Sequence, residues 1–517
     1  MNDQKTVLLS RCVFTAAGEQ PFGGFVALKG NRIEAVGPAC DAAPYVERAD
    51  EVRDLGEKTV MPGLVDVHTF FTGWVLRSLG ADLSEAGAAE DVVSALKEWA
   101  AGHQDCPVTL GHDLPEGLMG ESLGAALDER LTMPAVAFTA GAGTCALNAA
   151  ARERYGFTPD ACYAEKIWRL MPDYLALPEV RAAYGDYMHM LNSRGVTAIK
   201  EMCFDDYYGF ADEMARREDT NELTVRVDMM SQPVGRGADL EYASAARKRF
   251  QGSFVRFSGF NRMTDRGVWC GLAEMIDPYE DGADVAAGKT VAEEPEWDLI
   301  AQELREADAA GFRYSLHCQG DGAVRHTVAL FDELPKGADG KLRLRHAITD
   351  LENSNPADLE RFGAMGGICE VYPQILTLDA REDCLSMMRR QIGEDRLAHS
   401  WNRRKMVDAG CTVCCGTDLP LLLPSVGDSI YSACGGYFAD GLPVNEGNTL
   451  SVGELLRAWT AGGAYDLERE DELGTLEPGK LADICVLDRD AFAVDPSDAR
   501  AIEVVLTISD GRIVYEG

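Results

Sequence analysis

The chain has 517 residues, more than one compact core usually organises, so two or three structural units are expected. Its residues are 46% hydrophobic and 26% charged, as in a soluble globular protein. A formal net charge of -36 argues against nucleic-acid binding, which needs a basic footprint, and against docking on an anionic membrane. Its plain meaning is a solubilising acidic surface.

The opening MNDQKTVLLS has no basic segment leading into a long apolar run, so no signal peptide is expected. No stretch reaches the roughly 18 apolar residues of a membrane span. The 15 cysteines follow no framework spacing, and Cys411, Cys414, Cys415 and Cys485 sit inside apolar runs. Buried free thiols in a reducing compartment, hence a cytoplasmic protein, are expected. Cys411-x-x-Cys414-Cys415 has no second cysteine pair at zinc-site spacing and reads as core packing.

Residues 6–37 read as strands with turns: TVLLSRCVF, then GFVALKGNRIEAVG with Gly-Asn as a hairpin signal. An apolar strand, GLVDVHTF, follows and ends near His68 and Phe70. Residues 75–190 are too long for one βα unit. They contain helix candidates, with Val92, Val93, Leu96 and Trp99 on one face, and read as an insertion over the mouth of the next unit. From there a pattern recurs: helix, glycine, short apolar strand, as in LNSRG-VTAIKE, EADAAG-FRYSLHC, FGAMG-GICEVY and MVDAG-CTVCCGTD. Strands alternating with helices mark parallel βα units, and near-continuous apolar strands mark burial on both faces.

Eight strands are predicted: GLVDVHTF, VTAIKE, LTVRVDMM, SFVRFSGF, FRYSLHC, LRLRHAI, GGICEVY and CTVCCGTD. Several end in polar residues, including Lys200, His317, Glu370 and Asp418, as at the catalytic face of a (β/α)8 barrel. No GxGxxG follows the first strand, which disfavours an open doubly wound sheet. Ser451-Val-Gly-Glu454 predicts a capping box at the last long helix. The closing ADICVLDRD and IEVVLTISDGRIVYEG repeat the strand-and-turn character of the start. The expected architecture is a distorted (β/α)8 TIM barrel over 61–469, with a small β-sandwich built from 1–60 and 470–517.

His68, His317, His346 and Asp418 reach strand ends that barrel closure would gather. Three imidazoles and a carboxylate suit one divalent transition metal, zinc foremost, with a position left for water. Asp418 could take that water's proton and return it to a leaving group. Taken singly, a histidine at a strand end is more often a hydrogen-bonded structural residue, and Asp418 could merely cap a turn. Lys200 and Glu201 could reach the site or end a solvated strand. His103, His112, His189, His326 and His399 read as surface or core residues.

These motifs resemble the amidohydrolase superfamily, in the branch of N-substituted formamide deformylase-like metal-dependent hydrolases. VMPGLVDVHTF is similar to that family's PG(L/I)-(I/V)-D-x-H-x-H strand; SLHCQGDGAV, RHAI and CGTDLPL are similar to its HAIGDRAV, EHA and GSDWPV segments. LGTLEPGKLADICVLDRD is similar to its C-terminal run. The resemblance implies a distorted barrel, a sandwich from both termini, and hydrolysis at carbon by a metal-activated water. The chain departs from the pattern at four places. Phe70 stands for the second His of the pair, Val255-Arg256 for the strand-four Val-Lys, Arg345 for Glu, and Ala-Gly-Thr-Cys145 for the DGH element. Arginine stays protonated and cannot be carboxylated to bridge two metals. The expectation is one metal on His68, His317, His346 and Asp418, with Phe70, Arg256, Lys200 and Glu201 shaping the substrate pocket. Arg256 could grip a substrate carboxylate or oxyanion. The expected reaction is hydrolysis of an amide-like C–N bond in a small molecule, by a monomer or homodimer with no nucleic-acid or membrane partner. The alternatives are a non-hydrolytic barrel enzyme (isomerase, lyase or decarboxylase) and a non-catalytic binding relative.

Overall fold

The computed structural model describes residues 4–517, apart from 77, 141–143, 160–165, 167–168, 171–172, 175–176, 204–209, 234–236, 284 and 445. Ala142 and Gly143 of the Ala-Gly-Thr-Cys145 departure therefore lie outside the described residues.

Eight parallel strands pair in chain order: Leu64–Thr69, Val196–Cys203, Arg226–Ser231, Val255–Met263, Arg313–Cys318, Ala347–Asp350, Ile368–Val371 and Thr412–Cys415. The last returns beside the first. There the ladder is replaced by one parallel bridge, Thr69 to Leu419, with the Phe70 N–H donating to the Leu419 carbonyl at 2.9 Å. The barrel is thus closed but distorted. The glycines preceding four of the strands, Gly195, Gly311, Gly366 and Gly410, have φ of +82°, +81°, +72° and +78°, the left-handed turn that ends each helix. The sixth strand starts later than LRLRHAI predicts. It first pairs at Ala347, so His346 lies before the strand rather than at its end.

Both chain ends enter one eight-stranded sheet. Thr59–Pro62 pairs antiparallel with Ile484–Leu487, which continues to Val504–Ser509 and Arg512–Glu516. Apolar side chains cover both of its faces: Leu8, Val26 and Ile484 on one, Val7, Phe25 and Ala27 on the other. The Gly30-Asn31 and Asp510-Gly511 turns join the hairpins their sequence signals predict. Arg226, at the start of the third barrel strand, ties barrel to sheet. Its guanidinium donates to both Asp483 oxygens (2.8 and 3.1 Å) and to Asp510 (3.1 Å), and it is fully buried.

The insertion carries a four-stranded sheet, from Ala81–Asp82 to Cys145–Leu147, and helices Ala89–Gly102 and Glu121–Arg130. Val92, Val93, Leu96, Leu114 and Leu127 form its own core. Helix Pro178–Ser193 already belongs to the barrel wall, where Tyr187 reaches the second strand. The described cysteines are free, and Cys411, Cys414, Cys415 and Cys485 are buried as expected of core thiols. The Ser451–Glu454 capping box forms. Among the described residues no helix is long and apolar enough to cross a membrane.

Asp483→Ala would leave the buried Arg226 charge with one carboxylate in place of two. Loss of one partner from such a pair costs about 3 kcal/mol or more. Chemical denaturation should show that loss, with the midpoint moved and the slope unchanged.

Candidate active site at the barrel mouth

The site starts from Asp66. Its carboxylate, fully buried, accepts hydrogen bonds from Thr417 N (3.1 Å), Thr417 Oγ1 (2.6 Å) and His68 N (3.2 Å). Burial pushes its pKa up to about 7. This clamp sets the end of the first strand against the end of the eighth. Gly416 permits the approach, since a Cβ there would lie 2.8 Å from His68 Cβ. His68 Nε2 consequently sits 3.7 Å from Asp418 Oδ1, while Nδ1 faces Glu370 Oε2 at 3.8 Å and has no hydrogen-bond partner.

His317 ends the fifth strand. Its Nε2 lies 3.0 Å from Asp350 Oδ2 at the end of the sixth strand. Nδ1 faces Asp265 Oδ1 at 3.9 Å and is itself without a hydrogen-bond partner. Burial alone would lower its pKa, but Asp350, Asp265 and Asp418 raise it to about 9. Asp265 accepts three backbone N–H bonds, from Glu274, Gln319 and Gly320, each at 2.9 Å, and so fixes the loops after strands four and five.

A cavity of about 670 Å³ opens over these groups, lined by His317, Asp350 and Asp418 together with Tyr372, Trp401 and Arg403. Nine described non-glycine residues have positive φ. Four of them line this cavity: Asp350 (+77°), Leu351 (+55°), Trp401 (+48°) and Asp418 (+50°). For leucine and tryptophan such a backbone is costly, and strain of this kind gathers where function holds it.

Several expected site residues lie elsewhere. His346 is structural. Nδ1 accepts from Tyr314 N (3.1 Å), Nε2 faces Asp308 Oδ1 (3.1 Å), and the ring stacks on Phe331 in the layer behind the strands. Asp350, four residues later, occupies the strand end that His346 was expected to hold. Arg256 sits at the start of the fourth strand, the end away from the mouth, and pairs with Glu472 at 3.0 Å. Glu201 points outward, bonded to Thr69 Oγ1 (2.9 Å), Phe71 N (2.6 Å) and Tyr187 OH (3.3 Å). Lys200 points inward but below the mouth, fully buried, and ion-pairs with Glu370 and with Asp466 (2.8 Å). Phe70 packs its ring edge-on to His68, with centroids 5.4 Å apart, and joins the core rather than the cavity wall. Among the described residues none of the insertion lines the cavity; the walls come from the loops after strands four to eight.

Sequence reasoning missed Asp350, Asp265 and Arg403. Asp350 was legible as the polar end of LRLRHAITD, and Asp265 as the first acid after the fourth strand. Arg403, on a short helix between strands seven and eight, gave no signal.

The donors at the mouth thus stand as two His–Asp pairs, and the orphaned Nδ1 atoms of His68 and His317 remain. Imidazole nitrogens and carboxylate oxygens are the ligand types of a divalent transition metal, but as placed no three of His68, His317, Asp350 and Asp418 bring their ligand atoms within 4.8 Å of one another. The only described group of three with ligand atoms within 4.8 Å of one another is Asp82, His112 and Asp113, in the insertion.

With this geometry in place, the comparisons with known proteins bear on it. Residues 51–515 match the Amidohydrolase family, and the chain belongs to that family. It is 24% identical over 272 residues to YtcJ of Bacillus subtilis, covering 52% of this chain and 49% of that one. To the N-substituted formamide deformylase of Arthrobacter pascens it is 25% identical over 243 residues, covering 47% and 43%. The chain thus matches about half the length of these curated relatives. In fold it is similar to an uncharacterized metal-dependent hydrolase from Pyrococcus horikoshii OT3 (TM-score 0.75, 18% identity, 95% and 99% of the chains). It is also similar to the zinc-complexed atrazine chlorohydrolase TrzN from Arthrobacter aurescens TC1 (TM-score 0.56, 15% identity, 99% and 95%).

Two predictions follow from these placements. His346→Ala should lower stability by about 1–3 kcal/mol, the cost of orphaning buried partners, yet leave small-molecule and metal binding at the cavity unchanged. Calorimetry and denaturation on the one variant check both halves. Glu201 has its pKa raised from 4.5 to about 8 by burial. A carboxyl raised on folding lends stability that is full below its unfolded pKa and is lost as pH rises through the folded one. Thermal melts from pH 6 to 9 should therefore fall in the wild type and flatten in Glu201→Gln.

Proposed function

We propose that the chain is a hydrolase of a C–N, amide-like bond in a small molecule, using one divalent metal, zinc foremost, at the barrel mouth. The observation that carries this reading is the gathering of His317, Asp350 and Asp418, with His68 3.7 Å from Asp418, at one cavity that also holds four residues of left-handed backbone. His68, His317, Asp350 and Asp418 would hold the ion. When bound, it would supply Lewis-acid polarisation of the scissile carbonyl and acidify water.

The chain's own groups have separable tasks. Asp418, at the cavity edge beside His68 Nε2, accepts a proton from water and returns it to the leaving nitrogen. Asp350 holds the His317 ring in one orientation, and Asp265 anchors the loop behind it. Asp66 sets His68 and Asp418 at their mutual distance. Phe70, at the place of a second imidazole, leaves one set of ligands rather than two. Similarity to the Arthrobacter pascens deformylase supports amide-like substrates, and the free, mostly buried thiols support a reducing, cytoplasmic setting.

One observation favours a second reading. The 3.0 Å His317–Asp350 contact is also the arrangement of an acid–base pair, as an isomerase or lyase on this barrel would use. Product analysis in oxygen-labelled water separates the two, because hydrolysis places one solvent oxygen in the product acid.

Elemental analysis of protein purified without chelator should give about one equivalent of metal, and His317→Ala should lose it. Asp418→Asn should keep the fold and lower turnover by about 10²–10⁴, the usual contribution of a positioned proton-transfer group. A variant with wild-type turnover and an unchanged pH profile would remove Asp418 from proton transfer.

A further inference from the structure

Among the described residues five arginines are buried: Arg217, Arg226, Arg313, Arg403 and Arg469. Four have a carboxylate partner, respectively Glu213, Asp483, Asp466 and Glu472, at 2.8–3.0 Å. Arg403 has none. Its Nη2 donates to the Tyr372 carbonyl at 3.0 Å, and the ionisable groups that bear on it are the thiols of Cys415 and Cys434. Burial draws its pKa down to about 10, so the guanidinium remains charged at neutral pH. A buried cation without a counter-charge is expensive, and a fold keeps one where a ligand supplies the missing anion.

Arg403 is 4% exposed and lines the cavity described above. It is anchored to the carbonyl of Tyr372, and the Tyr372 ring lies 5.8 Å from that of His68. The unpaired cation is therefore one residue removed from the His–Asp pairs. Around it the wall is apolar, with Leu376, Met387, Trp401 and Phe438, and Trp269 stands 66% exposed at the rim. Of the other ionisable groups lining the cavity, Asp350, Asp379, Asp383 and Asp418 would repel an anion, while His317 pairs with Asp350 and Arg266 stands beside Trp269 at the rim, so Arg403 is the buried cation without a carboxylate partner.

We propose that Arg403 is the specificity residue of this cavity and that it takes the carboxylate of an amide whose remaining bulk is apolar, an N-acyl amino acid in chemical class. The planar fork of its donors suits a carboxylate. The proposal rests on the hydrolase reading for the amide and on Arg403 alone for the carboxylate.

The test uses binding, which is independent of turnover. N-formyl-, N-acetyl- and N-benzoyl-phenylalanine, each paired with its neutral carboxamide, are titrated into the full-length protein by calorimetry and tryptophan fluorescence. The acids should bind at least about tenfold tighter than their carboxamides, the scale of a charge-assisted hydrogen bond. Arg403→Met should erase that difference, and Arg403→Lys should lose most of it while leaving carboxamide binding unchanged. Circular dichroism reports folding; if Arg403→Met does not fold, Arg403→Lys decides. Equal binding of acids and carboxamides overturns the proposal, as does an acid preference that survives both variants. Loss of the preference in Arg266→Gln but not at Arg403 assigns the anion to the rim and also overturns it. Failure of every compound to bind rejects the substrate class. Selective binding of the acids, lost at Arg403 but without hydrolysis, supports Arg403 and refutes the hydrolase reading instead.

Discussion

Everything at the mouth depends on one buried carboxylate. Asp66 holds Thr417 by main chain and side chain and also takes the His68 N–H. Between the first and eighth strands the regular ladder is reduced to a single bridge. The clamp replaces missing sheet hydrogen bonds with two that cross the seam, both from Thr417 to one side chain. It sets Thr417 beside the first strand, and the next residue, Asp418, with a left-handed backbone (φ +50°), faces His68 at 3.7 Å. Burial raises the Asp66 pKa to about 7. The closure and the chemistry thus share one residue.

Beneath the mouth the barrel interior is polar. Lys200 bridges Glu370 and Asp466, and Arg313 holds the other oxygen of Asp466 at 2.8 Å. All four are buried among strands that read as apolar. Ion pairs so placed add little net stability, because desolvation offsets attraction, but breaking one leaves an uncompensated charge. Burial alone would raise the Glu370 pKa; Lys200 holds it below the ordinary carboxylate range. Glu370 therefore presents a charged oxygen to His68 Nδ1 from below, as Asp418 does to Nε2 from above.

The sequence made the barrel legible because its signals are local: helix, glycine, strand, with all four glycines at positive φ. The joined termini were legible from two matching strand-and-turn ends. Side-chain direction was not. His346 failed because apolar residues do not fix where a strand begins: Leu342 and Leu344 read as strand, but the paired segment begins only at Ala347, so His346 precedes it. Arg256 failed because a strand has two ends, and nothing local says which end a second-position residue serves. Glu201 failed by parity: its neighbour Lys200 points inward, so it must point out. Arg403 could not be found at all, since the absence of a partner is a property of the folded interior.

The central claim is that the His68–Asp418 and His317–Asp350 pairs hold a single ion beneath the cavity. Diffraction from crystals of protein purified without chelator, collected on either side of the zinc absorption edge, tests it most directly. The account predicts one anomalous peak in contact with His68, His317 or both, flanked by Asp350 and Asp418. No peak at the mouth after zinc soaking, or a peak confined to Asp82, His112 and Asp113 in the insertion, would contradict it.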